Sequence, residues 1–72
     1  MQQDKIALAI KKNARDLFRK YGYNKTSVNE LAKSSSISKA TFYKHFESKE
    51  IILHEVLMDY IRENVDDILK KN

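Results

Sequence analysis

The amino-acid sequence predicts an all-α fold, and three observations support that prediction. Among 72 residues there is no proline and a single glycine, Gly22, so little interrupts a helical pattern. Lys, Glu, Leu, Ile and Ala are frequent, and these residues favour helices. Apolar residues recur at three- and four-residue spacing, which places them on one face of each helix. A chain of this length has room for one small domain.

The first helix is expected from Asp4 to Tyr21, and its end is the best-defined boundary in the sequence. Gly22 follows the last apolar position, where a helix commonly ends on a left-handed residue that glycine adopts at little cost. Basic residues occupy the other helix faces. One apolar stripe comprises Ile6, Ile10, Ala14, Leu17, Phe18 and Tyr21.

The second helix is expected to be short and to begin after a hydroxyl cap. Ser27 and Glu30 fit a capping box, in which the serine oxygen accepts from a backbone N–H and the glutamate reaches back to the cap. Leu31 is expected to face inward. Three consecutive serines, residues 34–36, compete for backbone hydrogen bonds and predict a tight turn rather than a flexible linker.

The third helix is expected to begin after Ser38, its cap, and to run to about His45. Phe42 and Phe46 are one helical turn apart and can bury together. The polar and basic side chains of this helix then face away from the core.

The fourth helix is expected to begin after Ser48, and apolar residues continue at helical spacing almost to the end of the chain. A helix from about Lys49 to Lys70 would be about 33 Å long, at a rise of about 1.5 Å per residue. Three short helices cannot cover that length, so we expect exposed apolar surface from about Ile61 onward. Such a surface implies a partner, either the rest of the polypeptide or a second chain.

The charge is distributed unevenly along the sequence. Residues 1–49 hold 11 Lys or Arg against 4 Asp or Glu, whereas residues 50–72 hold 3 against 6. The balance is +7 in the first segment and −3 in the second, so the first segment should be attracted to a polyanion. The alternative is a solvated, highly charged helical surface without a nucleic-acid partner.

Residue content argues against several other classes of protein. Without cysteine there can be no disulfide framework and no thiolate metal site, and a cytoplasmic protein is expected. Apolar runs are too short for a membrane span or a signal peptide. His45 and His54 lie on different predicted helices, and no glycine-rich phosphate loop is present. We therefore expect no enzyme, no cofactor and no metal site.

Two short helices joined by a tight turn, the second of them basic, form a helix-turn-helix pattern behind a longer first helix. The characteristic residues, in order, are Leu17-Phe18, Gly22-Tyr23, Thr26-Ser27-Val28, Leu31-Ala32, Ile37-Ser38-Lys39, Thr41-Phe42-Tyr43, His45-Phe46 and Ser48-Lys49-Glu50. At this spacing they closely resemble the DNA-binding domain of TetR-family transcriptional repressors, over about residues 6–56. The resemblance implies a three-helix bundle with a helix-turn-helix, followed by a long fourth helix.

The resemblance implies that residues 38–45 form a recognition helix in the major groove of DNA. In such a groove Lys39 can reach guanine acceptors or a phosphate, Thr41 can bond to a base edge or a phosphate, and Ala40 permits close approach. The predicted base or groove contacts are Ser38, Lys39, Ala40, Thr41 and Lys44. The predicted phosphate contacts are Thr26, Ser27, Tyr43, His45 and Lys49.

Each of these residues also has a purely structural alternative. Tyr43 could be a core residue with its hydroxyl at the surface, and His45 could be a helix-packing residue. Thr26 and Ser27 could be caps alone. For the lysines of the set the alternative is solvated charge.

One residue departs from the pattern of the family. Glycine usually stands where this chain has Ser36, at the turn before Ile37, because a left-handed backbone is cheap only for glycine. Keeping that conformation with serine should cost about 1 kcal/mol.

The resemblance also implies an organisation in two parts. Residues 1–48 would be the DNA-binding domain, and residues 49–72 a long helix that leads into an absent ligand-binding and dimerisation domain. A full-length protein would be a ligand-responsive repressor, a homodimer on a palindromic operator of the bacterial nucleoid. Its small-molecule inducer would bind outside this chain, and binding would swing the fourth helix and change the spacing of the recognition helices. The chain alone is expected to be a monomer or weak dimer.

A protein-interaction module is the main alternative function, because the long fourth helix could dock its apolar face in a partner's groove. A basic membrane-surface peptide is disfavoured, since the helix with the longest apolar stripe also carries most of the acidic residues.

Overall fold

A computed structural model describes residues 4–70, and these residues form five helices and no strand. The helices are α1 (Lys5–Tyr21), α2 (Val28–Ser34), α3 (Lys39–His45), α4 (Lys49–Glu63) and α5 (Val65–Lys70). The α1 helix packs against α2 and α4, and α2 packs against α3. The predicted all-α class with a helix-turn-helix is confirmed.

The boundaries of α1 follow from its two flanking residues. The Asp4 side chain caps the first turn, and its Oδ1 accepts from the backbone N–H of Ile6 at 2.9 Å. Gly22 closes the helix with φ 93°, and its N–H donates to the Phe18 carbonyl at 2.9 Å. A Cβ added at Gly22 would meet nothing within 4 Å, so the backbone conformation alone favours glycine there.

The core is small and lies between α1, the helix-turn-helix and the first turn of α4. The middle of the predicted α1 stripe is buried, but Ile6 and Tyr21 at its two ends are 40% and 54% exposed. The buried apolar residues are Ile10, Ala14, Leu31, Ala32, Phe42, Phe46 and Ile52.

The predicted continuous helix over residues 49–70 is wrong, because the structure divides it at Asn64. The Asn64 Nδ2 donates to the Tyr60 carbonyl at 2.8 Å, and the Asn64 backbone N–H donates to the Tyr60 and Ile61 carbonyls at 3.0 and 3.2 Å. An asparagine amide that competes for carbonyls of the preceding turn favours a helix end. Residues 71 and 72, which the expected connector includes, lie outside the described residues.

The distal part of the molecule exposes apolar side chains, as the sequence predicts. From residue 57 onward the exposed large apolar side chains are Leu57, Met58, Tyr60, Ile61, Val65, Ile68 and Leu69. Between residues 4 and 70 there is no helix whose length and apolar content would let it cross a membrane.

Candidate nucleic-acid interface

The α3 helix is fixed in the fold from one side. Phe42 is fully buried and Phe46 is 5% exposed, with their ring centroids 6.2 Å apart. At the start of the helix the Ser38 Oγ accepts from the Thr41 backbone N–H at 3.0 Å and donates to the Thr41 Oγ1 at 3.1 Å. Ser38 is thus the predicted cap, and its hydroxyl and that of Thr41 bond to each other.

The opposite side of α3 is open to solvent. Lys39, Ala40, Tyr43 and Lys44 are all exposed, and their spacing places them on one helix face. Tyr43 is 49% exposed, and its ring packs edge-on against the buried Phe42 with the ring centroids 5.5 Å apart. This face offers two ammonium groups, a phenol hydroxyl and, at Ala40, space for close approach.

The turn before α3 is a Schellman motif, in which the end of a helix is closed by two backbone hydrogen bonds. The Ser36 N–H donates to the Lys33 carbonyl, and the Ile37 N–H donates to the Ala32 carbonyl, each at 3.0 Å. Ser36 has φ 58°, the left-handed conformation predicted for this position. A residue with a Cβ adopts it at a cost of about 1 kcal/mol. The usual turn is therefore kept without the usual glycine.

Thr26 does not lie where a phosphate contact requires it. The residue is 1% exposed, and its Oγ1 donates to the Gly22 carbonyl at 2.9 Å and approaches the Leu17 carbonyl at 3.4 Å. This placement corrects the expectation of a phosphate contact, because the hydroxyl is used inside the fold. Thr26 instead ties the end of α1 to the start of the helix-turn-helix.

Ser27 caps α2 in the predicted capping box. Its Oγ accepts from the Glu30 backbone N–H at 3.1 Å, and the Glu30 Oε1 accepts from the Ser27 N–H at 3.0 Å. Ser27 is exposed, so a phosphate could still approach its hydroxyl, although the Glu30 carboxylate already occupies this helix end.

Lys49 lies at the start of α4, but its ammonium group points into the fold. The Nζ donates to the Tyr23 carbonyl at 2.8 Å and to the Thr26 carbonyl at 2.9 Å, and it lies 4.3 Å from the centroid of the Tyr23 ring. A lysine has three donors, so one is left for a phosphate. In this structure Lys49 mainly joins α4 to the loop after α1.

His45 is joined to the beginning of α1. Its Nδ1 lies 3.2 Å from the Asp4 Oδ2, and its side chain is 17% exposed. The packing alternative for His45 therefore has structural support, although part of the imidazole still reaches the surface near the end of α3.

Asn13 makes a further contact to the helix-turn-helix that the sequence does not indicate. The Asn13 Nδ2 donates to the Ser34 carbonyl at 3.2 Å and to the Ser35 Oγ at 3.0 Å. No local pattern could have identified this bond, because it joins residues 21 and 22 positions apart.

The fold and its exposed third helix define a helix-turn-helix module. Residues 10–56 match the model of a family described as bacterial regulatory proteins, tetR family. The chain belongs to this family, which confirms the resemblance seen in the sequence and the expectation of a regulatory protein rather than an enzyme.

Three similar proteins are also helix-turn-helix regulators. The chain is 45% identical over 60 residues to YuxN of Bacillus subtilis strain 168, an uncharacterized HTH-type transcriptional regulator. It is 46% identical over 44 residues to the HTH-type transcriptional regulator QacR of Staphylococcus aureus strain Mu50. It is 44% identical over 43 residues to IcaR of Staphylococcus aureus strain Newman, a negative transcriptional regulator of the biofilm operon icaADBC.

These matches cover most of this chain but a small part of each relative. They span 83%, 61% and 60% of the chain, in the same order, and 21%, 23% and 23% of the three relatives. The chain thus spans about a fifth of the length of the relatives it matches. No solved structure matches the chain.

Proposed function

We propose that the chain is the DNA-binding part of a transcriptional regulator and that α3 enters the major groove of an operator. The exposed face of α3, opposite the buried Phe42 and Phe46, is the observation that supports this function most directly. Lys39 and Lys44 can donate to guanine acceptors or phosphates, and Ala40 leaves room for a base edge. Ser38 and Thr41 can bond to a base edge or phosphate at the start of the helix.

The DNA backbone would be contacted by residues around this face. Tyr43 is exposed on the same side of α3 as Lys39, and Ser27 is exposed at the start of α2. Lys49 is partly exposed and would attract phosphates while keeping its contacts in the fold, and the partly exposed imidazole of His45 can donate a hydrogen bond to a phosphate. Contacts of this kind fix the orientation of a protein on the duplex and do not read its sequence.

The relatives support a proposal for the whole regulator. Residues 1–48 would form the DNA-binding domain, and residues 49–72 would connect it to a ligand-binding and dimerisation domain of a cytoplasmic protein. A homodimer would place two α3 helices on a palindromic operator in the nucleoid, and a small-molecule inducer would release it. Repression is favoured because IcaR is a negative regulator.

Salt dependence and one charge reversal test DNA binding. Binding to a duplex should weaken steeply with added salt, because each neutralised phosphate contributes a log-log slope of about −0.9. Lys39→Glu should abolish binding, since it places a carboxylate on the face that enters the groove, where guanine acceptors and nearby phosphates repel it. The matched control is Lys70→Glu, which makes the same change on α5 and should have a small effect. An affinity independent of salt, or equal losses in both variants, would contradict the proposal.

A second candidate function is protein interaction through α4, and a specific groove favours it. Between α1 and α4 lies a groove of about 590 Å³, whose wall includes Phe18, Leu53, Val56 and Leu57, with Arg15 and Arg19 on one side. An open groove with apolar walls between two helices can receive the apolar face of a partner helix. If this function is the main one, Leu57→Asp, at the wall of this groove, should abolish partner binding while Lys39→Glu leaves it intact.

A further inference from the structure

The turn between α2 and α3 is held by a side chain from outside the helix-turn-helix. The Asn13 Nδ2 donates to the carbonyl of Ser34, the last residue of α2, and to the Oγ of Ser35, which caps it. Asn13 is half-buried on α1, next to the fully buried Ala14. Its position is therefore set by the packing of α1, and the two bonds join the turn to that rigid helix.

The left-handed backbone of Ser36 is a conformation that needs support from surrounding contacts. Ser36 is the one non-glycine residue with a positive φ among residues 4–70. A residue with a Cβ disfavours this conformation, and it persists only where the surroundings impose it. The structure provides the two backbone bonds of the Schellman motif, the two Asn13 bonds and the packing of half-buried Ile37 against the core.

The geometry of this turn determines where α3 lies. Ile37 and Ser38 alone separate Ser36 from the first residue of α3 at Lys39. A change in the backbone angles of Ser36 would therefore move α3 as a unit, together with its exposed face. The aromatic anchors Phe42 and Phe46 resist this movement from the other end of the helix.

We propose that Asn13 is a positioning residue for DNA recognition, which holds the serine turn in its left-handed form and so sets the placement of α3. Asn13 touches no DNA in this proposal and acts through Ser34, Ser35 and Ser36. The effect on DNA binding rests on the proposed function, whereas the effect on the placement of α3 does not.

A double-mutant cycle between Asn13 and Ser36 tests the proposal. Affinity is measured on a duplex that the wild-type chain selects from a random pool, at a temperature where circular dichroism shows every variant folded. Asn13→Ala should weaken binding about 5-fold, equivalent to about 1 kcal/mol. Asn29→Ala, which truncates an exposed asparagine on α2, is the composition control and should change affinity less than about 2-fold.

The second arm of the cycle uses glycine at position 36. Glycine adopts a left-handed backbone without help, so the loss caused by Asn13→Ala should shrink below about 2-fold when Ser36→Gly is also present. Equal losses in the two backgrounds would overturn the proposal, because Asn13 would then act independently of the turn. If Asn13→Ala does not fold, Ser35→Ala removes one of the two bonds and should give a smaller loss that Ser36→Gly also suppresses.

A structural measurement decides the same question without DNA. Residual dipolar couplings of backbone N–H groups report the orientation of α3 relative to α1 in the isotopically labelled chain. That orientation should change in Asn13→Ala and return in the variant that also carries Ser36→Gly. A lower melting temperature with unchanged orientation and unchanged affinity would reduce Asn13 to a stabilising residue. If the wild-type chain binds no duplex, the proposed function fails, and the couplings still decide whether Asn13 places α3.

Discussion

Residues 4–52 and residues 53–70 are both helical, but they bury their apolar side chains very differently. The first region contains every buried residue among those described, including Phe42 and Ile52. In the second region each residue is exposed or half-buried, and Leu69 is 64% exposed. The apolar spacing is helical in both regions. Periodicity therefore predicts a helix in each, while burial depends on whether another element is present to cover the apolar face.

The same contrast holds for polar side chains. In the first region Asn13 and Lys49 donate to backbone carbonyls 21 to 26 positions away in the chain. In the second region the hydrogen bonds of Arg62 and Asn64 stay within one helical turn, and the long-range polar contacts are the ion pairs of Asp59 and Glu55 with Lys11 at the surface. Long-range polar contacts fix the placement of elements, whereas local ones only shape a helix.

The largest difference in stability should appear when one large apolar side chain in each region is truncated to alanine. Phe42→Ala should lower the free energy of unfolding by about 3–5 kcal/mol, through lost burial and a cavity. Leu57→Ala should cost less than about 1 kcal/mol, because half of that side chain is already exposed. Urea denaturation followed by circular dichroism measures both. Similar losses would show that the distal half of α4 is better covered than its exposure indicates.

Gly22→Ala tests a backbone requirement of the first region. With φ 93° and ψ 151°, Gly22 occupies a conformation that residues with a Cβ rarely adopt. The substitution should lower the free energy of unfolding by about 1–3 kcal/mol, although the added methyl group has free space. Gly22→Asn should lose a similar amount, because asparagine tolerates positive φ mainly in the αL region and ψ 151° lies outside that region. An unchanged unfolding midpoint for Gly22→Ala would refute this explanation.

An ion pair between the two regions should give a defined pH dependence. Lys11 Nζ lies 2.7 Å from Asp59 Oδ2 and 3.6 Å from Glu55 Oε1. The hydrogen bond from Lys11 lowers the pKa of Asp59, and the hydrogen bond to Asp59 raises the pKa of Lys11. The contribution of ionised Asp59 to the free energy of unfolding is fully present at pH values above the ordinary aspartate pKa. It is lost as the pH falls through the lowered pKa of Asp59. The contribution of protonated Lys11 to the free energy of unfolding is fully present at pH values below the ordinary lysine pKa. It is lost as the pH rises through the raised pKa of Lys11.

The pair should therefore stabilise the fold fully between about pH 5 and pH 9, by at most about 1 kcal/mol because both groups are partly exposed. Lys11→Met should remove most of this contribution near neutral pH and leave little difference from wild type at about pH 2. Urea unfolding of wild type and Lys11→Met at the two pH values measures this loss of stability. If the variant is destabilised equally at both pH values, the packing of the lysine side chain, rather than its charge, is responsible.

The smallest effect on folding is expected at the end of the second region. Ile68→Asp should change the free energy of unfolding by about 0.5 kcal/mol or less, because Ile68 is 43% exposed on α5. Sedimentation velocity should also show less self-association at high concentration, since the change places a charge on the apolar face. Ile52→Asp is the matched change at a buried position and should unfold the chain. A clear loss of stability for Ile68→Asp would contradict the division into two regions.

The features that local sequence predicts are those made by residues close together in the chain. The caps at Ser27, Ser38 and Ser48 and the stop at Gly22 follow from residue type and position alone. The left-handed turn at Ser36 follows from the resemblance to the family, because serine itself does not indicate it. The exposed face of α3 follows from the spacing of two phenylalanines.

The features that could not be predicted depend on contacts between distant residues or on small energetic differences. Thr26 and Lys49 suit phosphate contacts by residue type, but the folded chain turns both side chains toward carbonyls of the α1–α2 loop. The break at Asn64 reflects a competition between an amide and a helical carbonyl that apolar spacing does not register. Asn13 lies beside the apolar stripe, and its partners become evident only when α1 and α2 are packed together.

The interruption at Asn64 has a mechanical consequence. The α4 helix is about 22 Å long. Lys49 lies at its first turn, beside the loop after α1, and the break at Asn64 lies at its other end. Its middle is braced to α1 by the ion pair of Lys11 and Asp59. Because the chain changes from one helical segment to another at Asn64, we expect the angle between α4 and α5 to vary more readily than either helix bends. A shift of α4 along its own axis would instead reach the loop after α1 through the two hydrogen bonds of Lys49.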